Sequence, residues 1–176
     1  QVARNTDIDY QTFLNALHVP EDAGEYEQDL RNMLARIPDG WGRWIGCGKG
    51  WYPIIIKADK RIAELFPNYE IHQVKEKYGT LRYYWGTGRD PWQQANPEPA
   101  RPDWNGDDSD ESWQAYIEAC RKNDEAHEIW RKTAAGKTYL EEAERRCKLA
   151  EKIEREAEEE SACTCEICGE PGRSTG

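Results

Sequence analysis

Long apolar runs are missing from this 176-residue chain. None approaches the ~20 residues that a membrane-crossing helix requires, and residues 1–9 have no apolar centre of the kind a signal peptide carries. The expectation is a soluble, intracellular protein with no membrane partner. Apolar content is low overall: 38% hydrophobic against 33% charged, with a mean hydropathy of −1.01. Such a chain cannot be one filled core, and part of it is expected as solvated helix or loop. Cysteine is too sparse for a disulfide scaffold. The six residues sit at 47, 120, 147, 163, 165 and 168, and the crowding of the last three points to metal rather than bridges.

Several catalytic patterns are absent too. The three histidines, His18, His72 and His127, are scattered, with no HxxxH, HxH or His-Asp pairing along the chain. Cys47 is followed by Pro53, not by the Arg that a phosphatase loop needs at that position. "AAGKT" (134–138) has Arg131 where a Walker A motif requires its first glycine, and "GCGKG" (46–50) lacks the P-loop spacing and a preceding strand. No paired carboxylates in the middle of the chain suit acid–base work, since Glu70 and Glu76 are expected in a sheet. A nucleotide hydrolase is therefore the third-ranked reading.

Charge is present but uneven. The total is −10, yet residues 1–30 carry −6, residues 31–89 carry +6 and residues 90–176 carry −10. The overall sign argues against bulk nucleic-acid binding. The basic middle also holds nine of the seventeen Trp and Tyr residues, all between Trp41 and Trp85.

Periodicity then sets out the elements. Tyr10, Phe13, Leu14 and Leu17 recur at helical spacing after a cap at Thr6 or Asp7, and Tyr26, Leu30, Met33, Leu34 and Ile37 make a second stripe. Both are expected to face a core. "GWGRWIGCGKGW" (40–51) has five glycines and three tryptophans, which suits neither helix nor strand; its rings fold onto the core or line a pocket. "YPIIIKADKRIAELF" (52–66) reads as a helix with Pro53 in its first turn and Ile55, Ala58, Ile62, Leu65 and Phe66 on one face. Residues 69–86 read as a β-hairpin, 91–108 as a loop and 109–160 as charged helix divided near Gly136. In the last, Trp113, Tyr116, Ile117 and Cys120 form one patch. Ala143, Cys147, Ala150, Ile153 and Ala157 form a narrow seam for one partner helix, from the same chain or another subunit.

The hairpin carries the sharpest signal. With Tyr78-Gly79 at the turn, Lys77 faces Thr80, Lys75 faces Arg82 and Gln73 faces Tyr84 on one side. Glu76 with Leu81, Val74 with Tyr83 and His72 with Trp85 lie on the other, which should pack on the 52–66 helix. Lysine opposite arginine is a local cost. Either Glu76, Glu70 or Glu64 neutralises the cluster, or solvent screens it, or the face receives an anion. Lysine and arginine together suit phosphate oxygens, and Trp41, Trp44, Trp51 and Tyr84 offer stacking surface for a base.

"CTCEICGEPG" (163–172) contains Cys165-x-x-Cys168-Gly169, the form of one zinc-knuckle half-site, with Cys163 as a third thiolate. A fourth ligand would come from Cys47, Cys147, a histidine or another chain; the alternative is a tail of free thiols.

Taken together, "GWYPIII", "QVKEKYGTLRYYW" and "CEICGEPG" resemble a family of small bacteriophage and prophage proteins. That family carries QVKEKFGxLRFY-like hairpins and a CExCGxPG knuckle, and the resemblance covers residues 40–86 and 158–172. The chain departs from it by the long loop and helix between these motifs, and by having no Cys/His pair after Cys168. The resemblance implies a phage protein acting in the cytoplasm of a bacterial host, and sequestration of a nucleotide-derived immune signal as one role. The expected architecture is α+β. A helical N-terminal region packs on a short antiparallel hairpin (1–90), followed by the loop (91–108), the acidic helical segment (109–160) and the Cys-rich tail (161–176). A non-enzymatic binder of a small anionic, nucleotide-like ligand is the leading reading. An interaction module or nucleic-acid mimic is the alternative, with homo-oligomerisation through 109–160 possible in either.

Overall fold

The computed structural model describes residues 9–103 and 109–172. They fall into two compact units, 9–88 with 147–172, and 89–103 with 109–146. The class is α+β, as expected: helices and one two-stranded antiparallel sheet, with a long helix last in the chain.

In the first unit, α1 (Tyr10–Asn15) is capped by Asp9, whose carboxylate accepts from the Gln11 N–H at 3.2 Å. The expected caps Thr6 and Asp7 lie outside the described residues. Only Leu14 of the first stripe is buried; Tyr10, Phe13 and Leu17 are exposed, which corrects the expectation of a core-facing helix. Ala16 is extended and turns the chain away after six residues, so Leu17 no longer continues the helical face. The second stripe behaves as expected. α2 (Glu27–Ala35) buries Leu30, Met33 and Leu34, and Ile37 follows them into the core.

α3 (Tyr52–Leu65) starts with Pro53 in its first turn, where a missing N–H costs no helical bond. Ile55, Ala58, Ile62 and Phe66 are buried as anticipated, but so are Tyr52, Ile54, Ile56 and Asp59. The helix is covered on more than one side. The last helix, α6 (Ala134–Ala162), supplies one cover: Ile153 and Ala157 meet Ile54 and Ala58, flanked by Lys57–Glu160 and Arg61–Glu156 ion pairs. The small-residue seam thus finds its partner helix within the chain. Ala150, Ile153 and Ala157 are buried and Cys147 is packed against the core. Small side chains allow this close approach, and each large apolar side chain fully buried here contributes on the order of 1.5–3 kcal/mol.

The sheet pairs β1 (Glu70–Lys77) with β2 (Thr80–Gly86). Its register is Lys77↔Thr80, Glu76↔Leu81, Lys75↔Arg82, Val74↔Tyr83 and Gln73↔Tyr84, as the turn assignment required. Tyr78 and Gly79 both have positive φ, 56° and 77°, the conformation a two-residue hairpin turn needs. One pairing differs. Ile71, not His72, lies opposite Trp85, because a bulge falls between Ile71 and Gln73. The bulge spends one residue without a partner and reverses the alternation, so Ile71 enters the core at 1% exposure while His72 does not.

Both open edges of the ribbon are covered. Along β1, Gly46 donates to the Val74 carbonyl at 2.9 Å and accepts from the Glu76 N–H at 2.8 Å. Along β2, the Leu81 N–H donates to Ser161 Oγ at 2.9 Å, and that hydroxyl donates to the Glu158 carbonyl at 2.6 Å. These contacts satisfy backbone groups that would otherwise template further strands.

Beneath the sheet lies a buried polar cluster. Tyr69 donates to the Asp59 carboxylate and shares a 2.7 Å hydrogen bond with the Tyr83 hydroxyl. Arg36 Nε stands 3.0 Å from Asp59, at ion-pair distance but not aligned as a hydrogen bond, and its guanidinium lies over the Tyr69 ring.

In the second unit, α4 (Pro91–Ala95) begins with a capping box between Asp90 and Gln93. The 91–108 segment therefore opens with a helix rather than with loop; Asp90-Pro91 supplies both its cap and its first turn. α5 (Glu111–Lys132) is capped by Asp110, and the break before α6 comes at Thr133. Gly136 lies in the next turn, where a Cβ would stand 2.2 Å from the Trp130 carbonyl. It marks a close backbone approach, not the break itself.

Candidate anion-binding face

The hairpin register brings Lys75, Lys77, Arg82, Gln73 and Tyr84 to the outer face of the sheet, opposite the buried Val74, Leu81 and Tyr83. Arg82 does not stand free. Its guanidinium pairs with Glu158 of α6 at 3.2 Å and donates to the Leu81 carbonyl. The neutralising carboxylate thus comes from Glu158, 76 positions along the chain from Arg82, not from Glu64, Glu70 or Glu76. Glu76 instead accepts from the Gly79 N–H at 2.7 Å and holds the turn. Among the described residues, no carboxylate pairs with Lys75 or Lys77. Their ammonium groups lie over aromatic rings, Lys75 5.9 Å from the Tyr84 centroid and Lys77 5.2 Å from that of Tyr78, an attraction of on the order of 0.5–1 kcal/mol at an exposed site.

The bulge changes what else shares this face. Two residues of β1, His72 and Gln73, now oppose Tyr84 alone, so His72 joins the outer face instead of pairing inward with Trp85. Trp41 packs against it, ring centroids 4.8 Å apart. Gly46, bridged to β1 beside Lys75, carries no side chain, and a Cβ there would come within 3.2 Å of the Lys75 Cβ.

The four aromatic candidates separate. Tyr84 is 44% exposed and belongs to the face, and Trp41 is 56% exposed beside it. Trp44 is exposed but turns back over Gly42, near His18. Trp51 is only 2% exposed, and its indole N–H donates to the Thr164 carbonyl at 2.9 Å. It is a core residue with no ring surface to offer.

That bond belongs to a docking arrangement the chain order conceals. The Cys-rich tail folds onto the glycine-rich segment. Gly50 donates to the Glu166 carbonyl at 2.7 Å and Gly48 to the Glu166 carboxylate at 2.8 Å. Within the tail, Cys165 N–H bonds to Glu170 O and Gly172 N–H to Cys163 O, closing a small hairpin around the Cys165–Gly169 turn. The Cys165 thiol is held below its usual range, chiefly by the backbone N–H groups of Cys168 and Ile167 and then by the Cys168 thiol. This is thiolate-stabilising geometry, and Gly169 supplies the left-handed turn at φ 77°. Two thiols fit half of a tetrahedral zinc site. Cys163 does not join them, and no group of three or more metal-ligating side chains forms among the described residues. Cys47 is packed against the core, and burial together with Glu166 pushes its thiol up to about 12.

Cavities also lie away from the cationic face. An open groove of about 530 Å³ is lined by Asp22, Glu25, Lys49, Gly50, Glu160 and Cys168 in the first unit. A smaller one of about 220 Å³, in the second unit, includes Arg89, Trp92, Asn123 and His127. His127 there meets Asp90 at 2.6 Å and stacks on Trp92 and Trp130. The chain does form a His–Asp pair, against the reading of its histidines as isolated. Thirty-seven residues separate the partners, so no local motif announces it.

No helix among the described residues is long and apolar enough to cross a membrane. Comparison with protein-family models, with curated proteins and with solved structures returned no match.

Proposed function

We propose that the protein binds an anionic, nucleotide-derived ligand on the outer face of the β1–β2 hairpin and holds it without chemical change. The observation that carries this reading is the pair Lys75 and Lys77, two cations with no carboxylate partner among the described residues, beside an exposed Tyr84. Two lysines so close repel each other, and an anion relieves that cost. Lysine grips phosphate oxygens as a point charge, and the tyrosine face accepts a base. Arg82, its charge offset by Glu158, adds N–H donors rather than a third free charge. Binding alone suffices for sequestration of a signalling nucleotide in a bacterial cytoplasm, the role the phage-family resemblance implies. Titration calorimetry against a panel of linear and cyclic nucleotides tests it. Binding that falls at least tenfold in Lys75→Ala/Lys77→Ala supports the reading. Absence of binding, or an affinity unchanged in that variant, sinks it.

A second reading, an interaction module, is favoured by α5. None of its residues is buried, and Ile117 and Ile129 are 46% and 68% exposed. Ile117→Glu/Ile129→Glu would then abolish partner capture or self-association while leaving nucleotide binding intact.

A further inference from the structure

The outer face is a strip rather than a point. Its far end is Trp41 against His72, then come Gln73 and Tyr84, then Lys75 beside Arg82, and finally Lys77 next to the turn. From His72 to Lys77 the strip runs about 15–17 Å at the usual rise of a strand. A single nucleotide covers only part of that length. Aromatic groups fill one half of it and cationic groups the other, with the largest exposed ring, Trp41, at the end away from the unpaired lysines.

We infer that the ligand is a short, single-stranded oligonucleotide, laid along β1 with bases on Trp41/His72 and Tyr84 and phosphates at Lys75 and Lys77. This rests on the binding reading above and narrows its ligand class. A flat aromatic surface recognises a base by its π-face, which a single strand exposes and a duplex hides within its stack. Length is limited for an electrostatic reason. Glu70, 3.7 Å from His72, borders the aromatic end, and Glu158 offsets Arg82 on the β2 side. The favourable field therefore extends over on the order of three to four nucleotides, and the net charge of −10 repels anything longer. The bulge is necessary to this arrangement. With His72 turned inward opposite Trp85, the strip would end at Gln73 and Trp41 would have no ring beneath it.

The test uses the full chain and 5′-phosphorylated oligothymidylates of one, two, three, four, six and ten nucleotides, read by calorimetry and by quenching of tryptophan fluorescence. Affinity should climb at least tenfold between one and four nucleotides and then level off. A ten-base-pair duplex should bind at least tenfold more weakly than the tetranucleotide. Trp41→Ala should lower tetranucleotide affinity roughly fivefold or more, the loss of one stacked base. Lys75→Ala/Lys77→Ala should flatten the salt dependence by about 1.4 logarithmic units per decade of salt, two single-strand phosphate contacts. Circular dichroism checks that each variant is folded, and Trp41→Phe, which retains a ring, should recover much of the loss. Equal affinity for one and four nucleotides, with binding still dependent on Lys75 and Lys77, overturns the oligonucleotide assignment and leaves the mononucleotide reading standing. Preference for duplex also overturns it. Failure of every nucleotide to bind removes both.

Discussion

Gly50 lies directly against the backbone of Cys165: a Cβ at Gly50 would stand 2.2 Å from the Cys165 carbonyl oxygen and 2.6 Å from that of Glu166. Two segments more than one hundred residues apart meet with no space for a side chain. The glycine is there to admit the tail, and Trp51, next in the chain, anchors the same tail through Thr164. Gly50→Ala should therefore undock residues 163–172, at a cost of roughly 1–3 kcal/mol from forced backbone displacement. Hydrogen exchange would report it as lost protection at Cys165, Gly169 and Gly172. Protection unchanged from wild type would mean that the tail accommodates a methyl group, and that the close approach has no structural weight.

The Asp59 cluster predicts a pH dependence. Burial raises the Asp59 carboxyl above its usual range, against the opposing influence of Tyr69 and Arg36. A raised folded value means that the folded state holds this proton more tightly than the unfolded chain does. Its contribution is complete below the unfolded value, about 3.9, and is lost as pH rises through the folded value. Thermal melts should show stability falling over that window in wild type and a flatter profile in Asp59→Asn. An identical slope in the two proteins would assign the effect to other groups. Asp59→Ala, which leaves Arg36 without its carboxylate and the Tyr69 hydroxyl without its acceptor, should cost about 3–5 kcal/mol at neutral pH.

Tyr78 occupies left-handed backbone at φ 56° with its side chain 85% exposed. A tyrosine there pays a steric cost that Asn avoids. Tyr78→Asn should stabilise the protein by about 1 kcal/mol, since Asn-Gly is the preferred pair for such a turn. A shift of the urea midpoint upward at constant m-value is the expected reading. Loss of stability would show instead that the Lys77–Tyr78 ring contact matters more than the backbone.

Asp90 serves twice, as the cap of α4 and as the partner of His127. Asp90→Ala removes both contacts and should release α4, with faster amide exchange at 91–95 and a cap loss of about 1 kcal/mol. His127→Ala should release it less, because the cap remains. The double variant should cost less than the two single losses combined, as expected for groups in contact. Strict additivity would mean that the 2.6 Å contact carries no energy.

The local periods of the chain were enough to place the α2 and α3 stripes, the hairpin, its turn and the pairing of Lys75 with Arg82, because each depends on neighbours within a few residues. Alternation alone separates Val74, Leu81 and Tyr83 from the cations. Other features have no local signature. The bulge that moves His72 outward is a one-residue irregularity that strict alternation cannot register. Arg82 meets Glu158, Leu81 meets Ser161, Gly50 meets Cys165 and Asp90 meets His127 across long separations in the chain. Those pairings are selected when apolar faces pack and bring distant backbone and charge together, and no spacing along the chain encodes which partner arrives. Trp51 makes the same point from the other side: in composition it matches Trp41, and burial beside the docked tail assigned it to the core.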